Sequence, residues 1–327
     1  MVGRVVVVFL GGTISMATDP EAGGNVPTLA GAEILERTPG LDALADVEPI
    51  DLGRVPASHF TLPRLLEIGR TITDALDRPE IDGAVVVQGT DAMEETAFLW
   101  DLVLRSEKPV AVTGAMRAAS EPGYDGPANL RDAVAAAASP SLRGEGVAVV
   151  MAGEVHAADD VAKTHASSPG TFRSPNRGPL ATVDRGEVHV LARRAGRRHV
   201  DAAEAAEPVR LVTAVVGDDG ALVRASAADA SGIVVAATGA GNTSAAMLEA
   251  ASEAMARDVA VVLATRCLAG RASTGYAFPG GGATWVRAGA LLAGTLSGPK
   301  ARIALALGLG AGLERDALAG LLDPDRG

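Results

Sequence analysis

Two hydroxyls stand at the ends of two apolar runs. The first run, VVVVFLGGTIS over residues 5–15, stops on Gly11 and Gly12 and offers Thr13; the second, AVVVQGTD over 84–91, stops on Gly89 and offers Thr90 with Asp91 beside it. An alcohol at its ordinary pKa is a poor nucleophile, so carboxamide or acyl chemistry on such a group needs a proton path and donors for an oxyanion. Of the 29 lysines and arginines only three are lysines, Lys108, Lys163 and Lys300. A desolvated lysine gives up its proton, whereas arginine does not. Lys163 stands in DDVAKTHAS (159–167), a polar loop after a strand. There it is either a group that can reach a hydroxyl or an ordinary exposed cation. Lys108, before a strand, and Lys300, at a helix start, read as structural.

Three further stretches carry candidate groups. In QGTDAMEETAF (88–98), Asp91 and Glu94 are three residues apart. They either open a helix as a capping box or present a carboxylate, a hydroxyl and free helix amides together. TGAMRAASEPGYDGPANL (113–130) ends another strand on Thr113 and Gly114, then starts a helix with Asp125 as N-cap and Pro127 in the first turn. It is a substrate wall or a loop with a helix cap. TGAGNTSAA (238–246) half-matches a dinucleotide fingerprint, but Ser244 replaces the third glycine. A strand-to-helix turn whose Asn242 reaches a neighbouring site is the better reading.

Positioning these groups requires strands that end at one edge. VVVVFLGGT, GAVVVQGTD, PVAVTGAM and GVAVVMAG are continuous apolar runs, each expected to lead into an Ala/Leu-rich helix. Unbroken rather than alternating runs suit strands covered on both faces, hence a parallel sheet whose ligands lie at the carboxyl ends of its strands. The pattern breaks at LARRAGRRHVDAAEAAEP and resumes with GIVVAATGAG, VAVVLATRC and a final apolar helix in ARIALALGLGAGLERDALAGLL. The expected fold is α/β. It has a larger N-terminal domain (1–190) with a mostly parallel sheet and flanking helices, a linker (191–210) whose arginines decorate it, and a smaller C-terminal α/β domain (211–327).

Composition narrows the function classes. The net charge of −11 and 3% aromatics argue against a nucleic-acid partner. No apolar run reaches the roughly 18–20 residues that span a bilayer, and no signal peptide is read before the first strand, so a cytoplasmic protein without membrane association is expected. The single cysteine, Cys267, excludes an internal disulfide and reads as a small core or strand-end residue. His59, His156, His165, His189 and His199 show no metal-ligand spacing. No metal site is expected.

Taken in order, GGTIS, QGTDAMEETAF, TGAMR, DGPANL, DVAKT, GxGN and SGPKARIAL resemble the bacterial-type L-asparaginase family over nearly the whole chain. The resemblance implies two α/β domains, a homotetramer built from tight dimers, and hydrolysis of L-asparagine to L-aspartate and ammonia without cofactor or metal. It implies Thr13 as nucleophile. Thr90 and Lys163 would handle protons, Asp91 would hold the substrate's α-ammonium, and the backbone of Ala115 would contact the substrate amide. Gly12 and Gly89 would let the ligand approach the main chain, and Asn242 would come across a dimer interface. Two departures stand out. The loop after Thr13, SMATDPEAGGNVPTLAG, lacks the tyrosine that family members commonly carry there, so either water or a carboxylate such as Glu21 activates Thr13 or the lid works differently. The serine expected to bind the α-carboxylate falls near VPASHFT, at Ser58 or with Ala57 in its place. Rival readings are a glutaminase or broader amidase, a non-catalytic amino-acid sensor, and, from GAGNTS alone, a nicotinamide-linked oxidoreductase.

Overall fold

The computed structural model describes residues 3–324. The chain divides after Arg197 into two compact units. The first carries twelve strands among its described residues: β1 (Gly3–Phe9), β2 (Met16–Asp19), β3 (Gly24–Pro27), β4 (Ala45–Asp51), β5 (Gly83–Val87), β6 (Val110–Thr113), β7 (Val147–Met151), β8 (Glu154–Ala157), β9 (Ala162–Lys163), β10 (Phe172–Arg173), β11 (Ala181–Asp184) and β12 (Glu187–Val190). Its helices are α1 (Gly31–Glu36), α2 (Leu62–Leu76), α3 (Met93–Val103) and α4 (Gly126–Ala138).

Eight strands form one sheet in the order β12-β11-β8-β7-β6-β5-β1-β4. β4, β1, β5, β6 and β7 are parallel, as the apolar runs predict, while β8, β11 and β12 extend the sheet in antiparallel pairs. Val5–Val8 are fully buried. On one face Val5, Val7, Val85 and Val87 pack with Leu130, Ala133, Val134 and Ala137 of α4. α2 and α3 lie against β5 and β7. The register sets the functional edge: Phe9 pairs with Val87, and Val87 with Thr113. The residues following β1, β5 and β6 therefore emerge side by side.

The second unit is a four-stranded parallel sheet, β13 (Val209–Thr213), β14 (Gly232–Ala237), β15 (Ala260–Thr265) and β16 (Leu291–Ser297), in sequence order. It carries α5 (Ala221–Ser226), α6 (Ala245–Met255), α7 (Gly282–Ala288), α8 (Gly298–Gly310) and α9 (Arg315–Leu322). The two α/β units, the larger with a mostly parallel sheet, match the expected fold class.

Several elements differ from expectation. β7 leads into a hairpin with β8, not a helix, because Ala152 and Gly153 both adopt positive φ in a two-residue turn. β1 leads into a short 3₁₀ turn (Thr13–Ser15) and the β2–β3 hairpin before any helix begins. The expected final helix is two helices, parted where Gly312 takes φ +67°. β13 starts at Val209, within the stretch read as linker. Two arginines of that stretch, Arg194 and Arg197, do not decorate it, whereas Arg193 is exposed. Arg194 is buried and pairs with Asp101 at 2.8 Å and Asp159 at 3.3 Å, and Arg197 lies 3.3 Å from Asp101. Asp101 is fully buried, so these pairs hold the end of unit 1 against α3 and the Asp159 loop. A charge run looks solvated in sequence until its distant partners are known.

Candidate active site

The site begins with glycines that let strand tips touch. Gly12 has φ +93°, and a Cβ there would overlap the main chain of Gln88 and Gly89. A side chain at Gly114 would overlap the Gln88 carbonyl and come within 3.4 Å of the Thr90 methyl. The residues immediately before Thr13, Thr90 and Ala115 therefore abut at the carboxyl edge of the sheet. Hydrogen bonds hold the three tips level: Leu10 N–H donates to Val87 O at 2.8 Å and Gln88 N–H to Thr113 O at 3.0 Å. Thr113 Oγ1 donates to Val150 O at 2.8 Å, tying β6 to β7.

Thr13 heads the 3₁₀ turn and is partly exposed, whereas Ile14 and Ser15 behind it are buried. Ser15 Oγ donates to Gly12 O at 2.7 Å, which closes the turn.

Lys163 reaches the second hydroxyl. Its Nζ donates to Thr90 Oγ1 at 2.9 Å and to Asp91 Oδ1 at 2.8 Å. The Lys163 side chain is 13% exposed and that of Asp91 76%, so the amine is shielded while the carboxylate stays open to a ligand. The expected capping box does not form. The residue before α3 is Ala92, which makes no side-chain cap. Both acids turn to the lysine, Asp91 to its amine and Glu94 to its backbone, where Glu94 Oε2 accepts Lys163 N–H at 2.7 Å. A charged partner brought by the tertiary fold outcompetes the local cap.

The hairpin carrying Lys163 is stapled in place. Phe172 of β10 lies opposite Lys163, and Thr164 N–H donates to Thr171 O at 2.9 Å. Asp160 accepts from the Asn176 side chain at 2.7 Å and from Arg177 N–H at 2.9 Å. His156 Nδ1 lies 3.0 Å from Ser174 Oγ, and burial lowers the imidazole's pKa. The other two lysines fill the structural roles read for them. Lys108 Nζ donates to the Leu76 and Arg78 carbonyls at 2.6 and 2.7 Å at the end of α2, and Lys300 is buried in α8.

Ala115 is fully buried behind the tip of β6. Asp125 stands at the N-cap position of α4, as expected, but its carboxylate makes no cap hydrogen bond to the helix backbone. Its carboxylate accepts the N–H groups of Met116 and Arg117 at 3.0–3.1 Å and the Asn129 amide at 3.0 Å, which fixes the loop after Ala115. Ser58 is exposed. The residue beside the second tip is buried Ala57: a Cβ on Gly89 would lie 3.0 Å from Ala57 Cβ and 3.4 Å from Ala57 N. Ala57, by its methyl and its amide, thus lies closer to the side-chain position of Gly89 than the Ser58 hydroxyl does. Glu21 sits in the exposed turn of the β2–β3 hairpin, with its N–H on Asp19 Oδ1 at 2.8 Å, and makes no hydrogen bond to Thr13.

Asn242 belongs to the second unit. It closes a small loop with Thr238, exchanging backbone hydrogen bonds at 2.9 Å, and its buried Oδ1 has no partner among the described residues. Cys267 is exposed just past β15, at a strand end but not in a core.

Two family models cover the chain. The model described as "Asparaginase, N-terminal" matches residues 4–195 and that described as "Glutaminase/Asparaginase C-terminal domain" matches residues 208–322. The chain belongs to the asparaginase family. Among asparaginase relatives, a protein named "Probable L-asparaginase" from Deinococcus radiodurans is 34% identical over 96% of this chain and 95% of its own length. "L-asparaginase" of Bacillus licheniformis is 31% identical over 93% of this chain and 94% of its own. "Glutaminase-asparaginase" of Pseudomonas aeruginosa is 35% identical over 57% of this chain and 52% of its own.

Proposed function

We propose that this asparaginase-family enzyme hydrolyses the side-chain amide of L-asparagine, giving L-aspartate and ammonia. The observation that carries the reading is the Thr90–Asp91–Lys163 cluster, with Nζ 2.9 and 2.8 Å from the hydroxyl and the carboxylate, at a strand tip abutting the one that bears Thr13.

The steps follow from the groups. Thr13 Oγ1 attacks the amide carbon and forms a C–O bond while a water takes up its proton and relays it to the amide nitrogen. The tetrahedral oxyanion is met by backbone N–H groups following Gly12 and Gly89, each such donor lowering the barrier by ~3 kcal/mol. The C–N bond then breaks and the nitrogen leaves with the proton as ammonia. Water attacks the resulting ester. Its proton passes through Thr90 and Lys163, aspartate departs, and the Thr13 hydroxyl is restored. Asp91, open to solvent, takes the substrate ammonium. The amide following Pro56 and the Ser58 hydroxyl are the two candidates for the substrate carboxylate.

A second substrate has a specific observation behind it, since some relatives are named glutaminase-asparaginases. Glutamine, one methylene longer, would be hydrolysed by the same groups. The proposal also includes a homo-oligomer, which is where the family resemblance has Asn242 act, and a reducing, cytoplasmic setting, in keeping with the single exposed cysteine. A relative from Haemophilus influenzae carries "periplasmic" in its name, so fractionation of the native host tests the second point.

The test is ammonia release from asparagine and from glutamine, with Thr13→Ala and Lys163→Met beside the wild type. Both variants are expected to lose at least about 10³-fold in kcat while keeping the wild-type melting temperature. Stoichiometric asparagine binding without ammonia would establish the sensor reading instead, and a fully active Thr13→Ala would remove the nucleophile.

A further inference from the structure

Tyr124 has no role in the reaction as written, yet it touches the turn that bears the nucleophile. Its hydroxyl donates to the carbonyl oxygen of Ile14, 110 positions away, at 2.7 Å. Ile14 is fully buried in the middle of the 3₁₀ turn. The turn's own hydrogen bonds use other carbonyls: Ser15 N–H goes to Gly12 O, and Met16 N–H to Thr13 O. The Tyr124 ring lies over Gly126, where an added Cβ would come within 2.5 Å of the ring and its hydroxyl. The same loop follows the chain past the turn. Ala119 N–H donates to Met16 O at 2.9 Å, and Ser120 Oγ accepts Thr18 N–H at 2.9 Å.

We propose that Tyr124 is a positioning residue for the nucleophile: by donating to Ile14 O it fixes the rotation of the Thr13–Ser15 turn, and so the direction in which Thr13 Oγ1 leaves the main chain. The 118–124 loop acts as a splint along residues 14–18, and Tyr124 is its contact with the reactive turn. Burial pushes the phenol's pKa up to about 12, with Arg37 opposing and Asp125 adding to the shift. The hydroxyl therefore remains a donor at any working pH. Its proton is committed to a carbonyl, so it orients the threonine without taking the threonine's proton. A small angular error in a reacting hydroxyl is felt in the chemical step far more than in substrate affinity.

The proposal rests on Thr13 being the nucleophile of the asparaginase reaction, and its test keeps the two apart. Wild type, Tyr124→Phe, Gly126→Ala and Ser120→Ala are assayed for ammonia release from asparagine, and aspartate affinity is measured by calorimetry. Tyr124→Phe removes the donor. Gly126→Ala displaces the ring without altering the hydroxyl, and carries the same measurement should the phenylalanine variant not fold. Both are expected to lose about 10- to 100-fold in kcat, with KM and aspartate affinity within about twofold and the shape of the kcat–pH profile unchanged. Ser120→Ala, which loosens the splint beyond the turn, is expected to stay within about twofold of wild type. Wild-type kcat in both Tyr124→Phe and Gly126→Ala, or equal losses of kcat and aspartate affinity, would overturn the positioning role while leaving the asparaginase reading intact. A wild-type protein that releases no ammonia would remove both.

Discussion

Glu94 Oε2 accepts the backbone N–H of Lys163 at 2.7 Å, so the first turn of α3 holds the main chain of the residue whose amine meets Thr90. The same strand-to-helix segment supplies Thr90, Asp91 and Glu94, and all three converge on one lysine from 69–73 positions away. The amine is thus located at both ends, through its backbone and through its head group.

Removing the backbone anchor should let the hairpin of β9 and β10 drift. Glu94→Ala is expected to lower kcat about 10²-fold with a smaller change in KM, because a displacement near 1 Å suffices for such a loss. Leaving the amide unpaired should also lower stability by ~1–3 kcal/mol. Glu94→Gln keeps an acceptor oxygen and should recover most of the activity. Steady-state kinetics and thermal melts of the two variants read this directly; equal kcat losses would show that the charge, not the acceptor, matters.

Gly12→Ala should be far worse than an ordinary positive-φ substitution. The strained φ alone costs ~1–3 kcal/mol, and here the new Cβ would also overlap the Gly89 main chain. Gly23 offers the control: its φ is +69°, but nothing lies within 4 Å. Gly23→Ala is expected to cost only the strain, whereas Gly12→Ala should fail to fold or melt well below it. Comparable melting temperatures would mean that the strand tips do not abut.

Breaking the buried pair of Arg194 and Asp101 should destabilise unit 1 by ~1–3 kcal/mol, because Arg194→Met takes one of two guanidinium partners from a fully buried carboxylate and leaves it Arg197 at 3.3 Å. Asp101→Leu combined with Arg194→Met should recover part of that loss. Denaturant melts of the single and double variants decide; a single variant within 1 kcal/mol of wild type would return these arginines to the surface role read from composition.

Asp132 supplies a pH signature. Burial pushes its carboxyl up to about 6, with Arg131 opposing and Asp184 adding to the shift. The folded protein then holds this proton more tightly than the unfolded chain, whose carboxyl titrates near 3.8. The stability contribution is complete below about pH 3.8 and is lost as the pH rises through about 6. Asp132→Asn should therefore raise the melting temperature at pH 7 and leave it nearly unchanged below pH 4. An equal shift at both values would trace the gain to something other than ionisation.

Much of the site could be read in the one-dimensional pattern. GGT, QGT and TG each join an apolar run to a small, conformationally free residue, and that local signal located Thr13, Thr90 and Ala115 at strand ends. The scarcity of lysine drew attention to Lys163. Other features had no such signal. Asp91 with Glu94, and Asp125 before Pro127, fit helix caps as well as any pair could, yet their carboxylates bind Lys163 and the 116–117 amides. The β7–β8 hairpin was hidden because an apolar run looks the same whether a helix or a tight turn follows it.

By itself the chain's pattern of apolar runs and punctuating glycines determined which residues reach the carboxyl edge of a parallel sheet, since strand length, burial and backbone freedom are local properties. Only the tertiary structure decided what those residues touch. The anchoring of Lys163 by Glu94, the clasp of Tyr124 on Ile14 and the burial of Arg194 against Asp101 all join groups separated by 69 to 110 positions. No local preference distinguishes such partners from solvent, because a charged or hydroxylic side chain is as well served by water until burial removes the water and leaves one partner within reach.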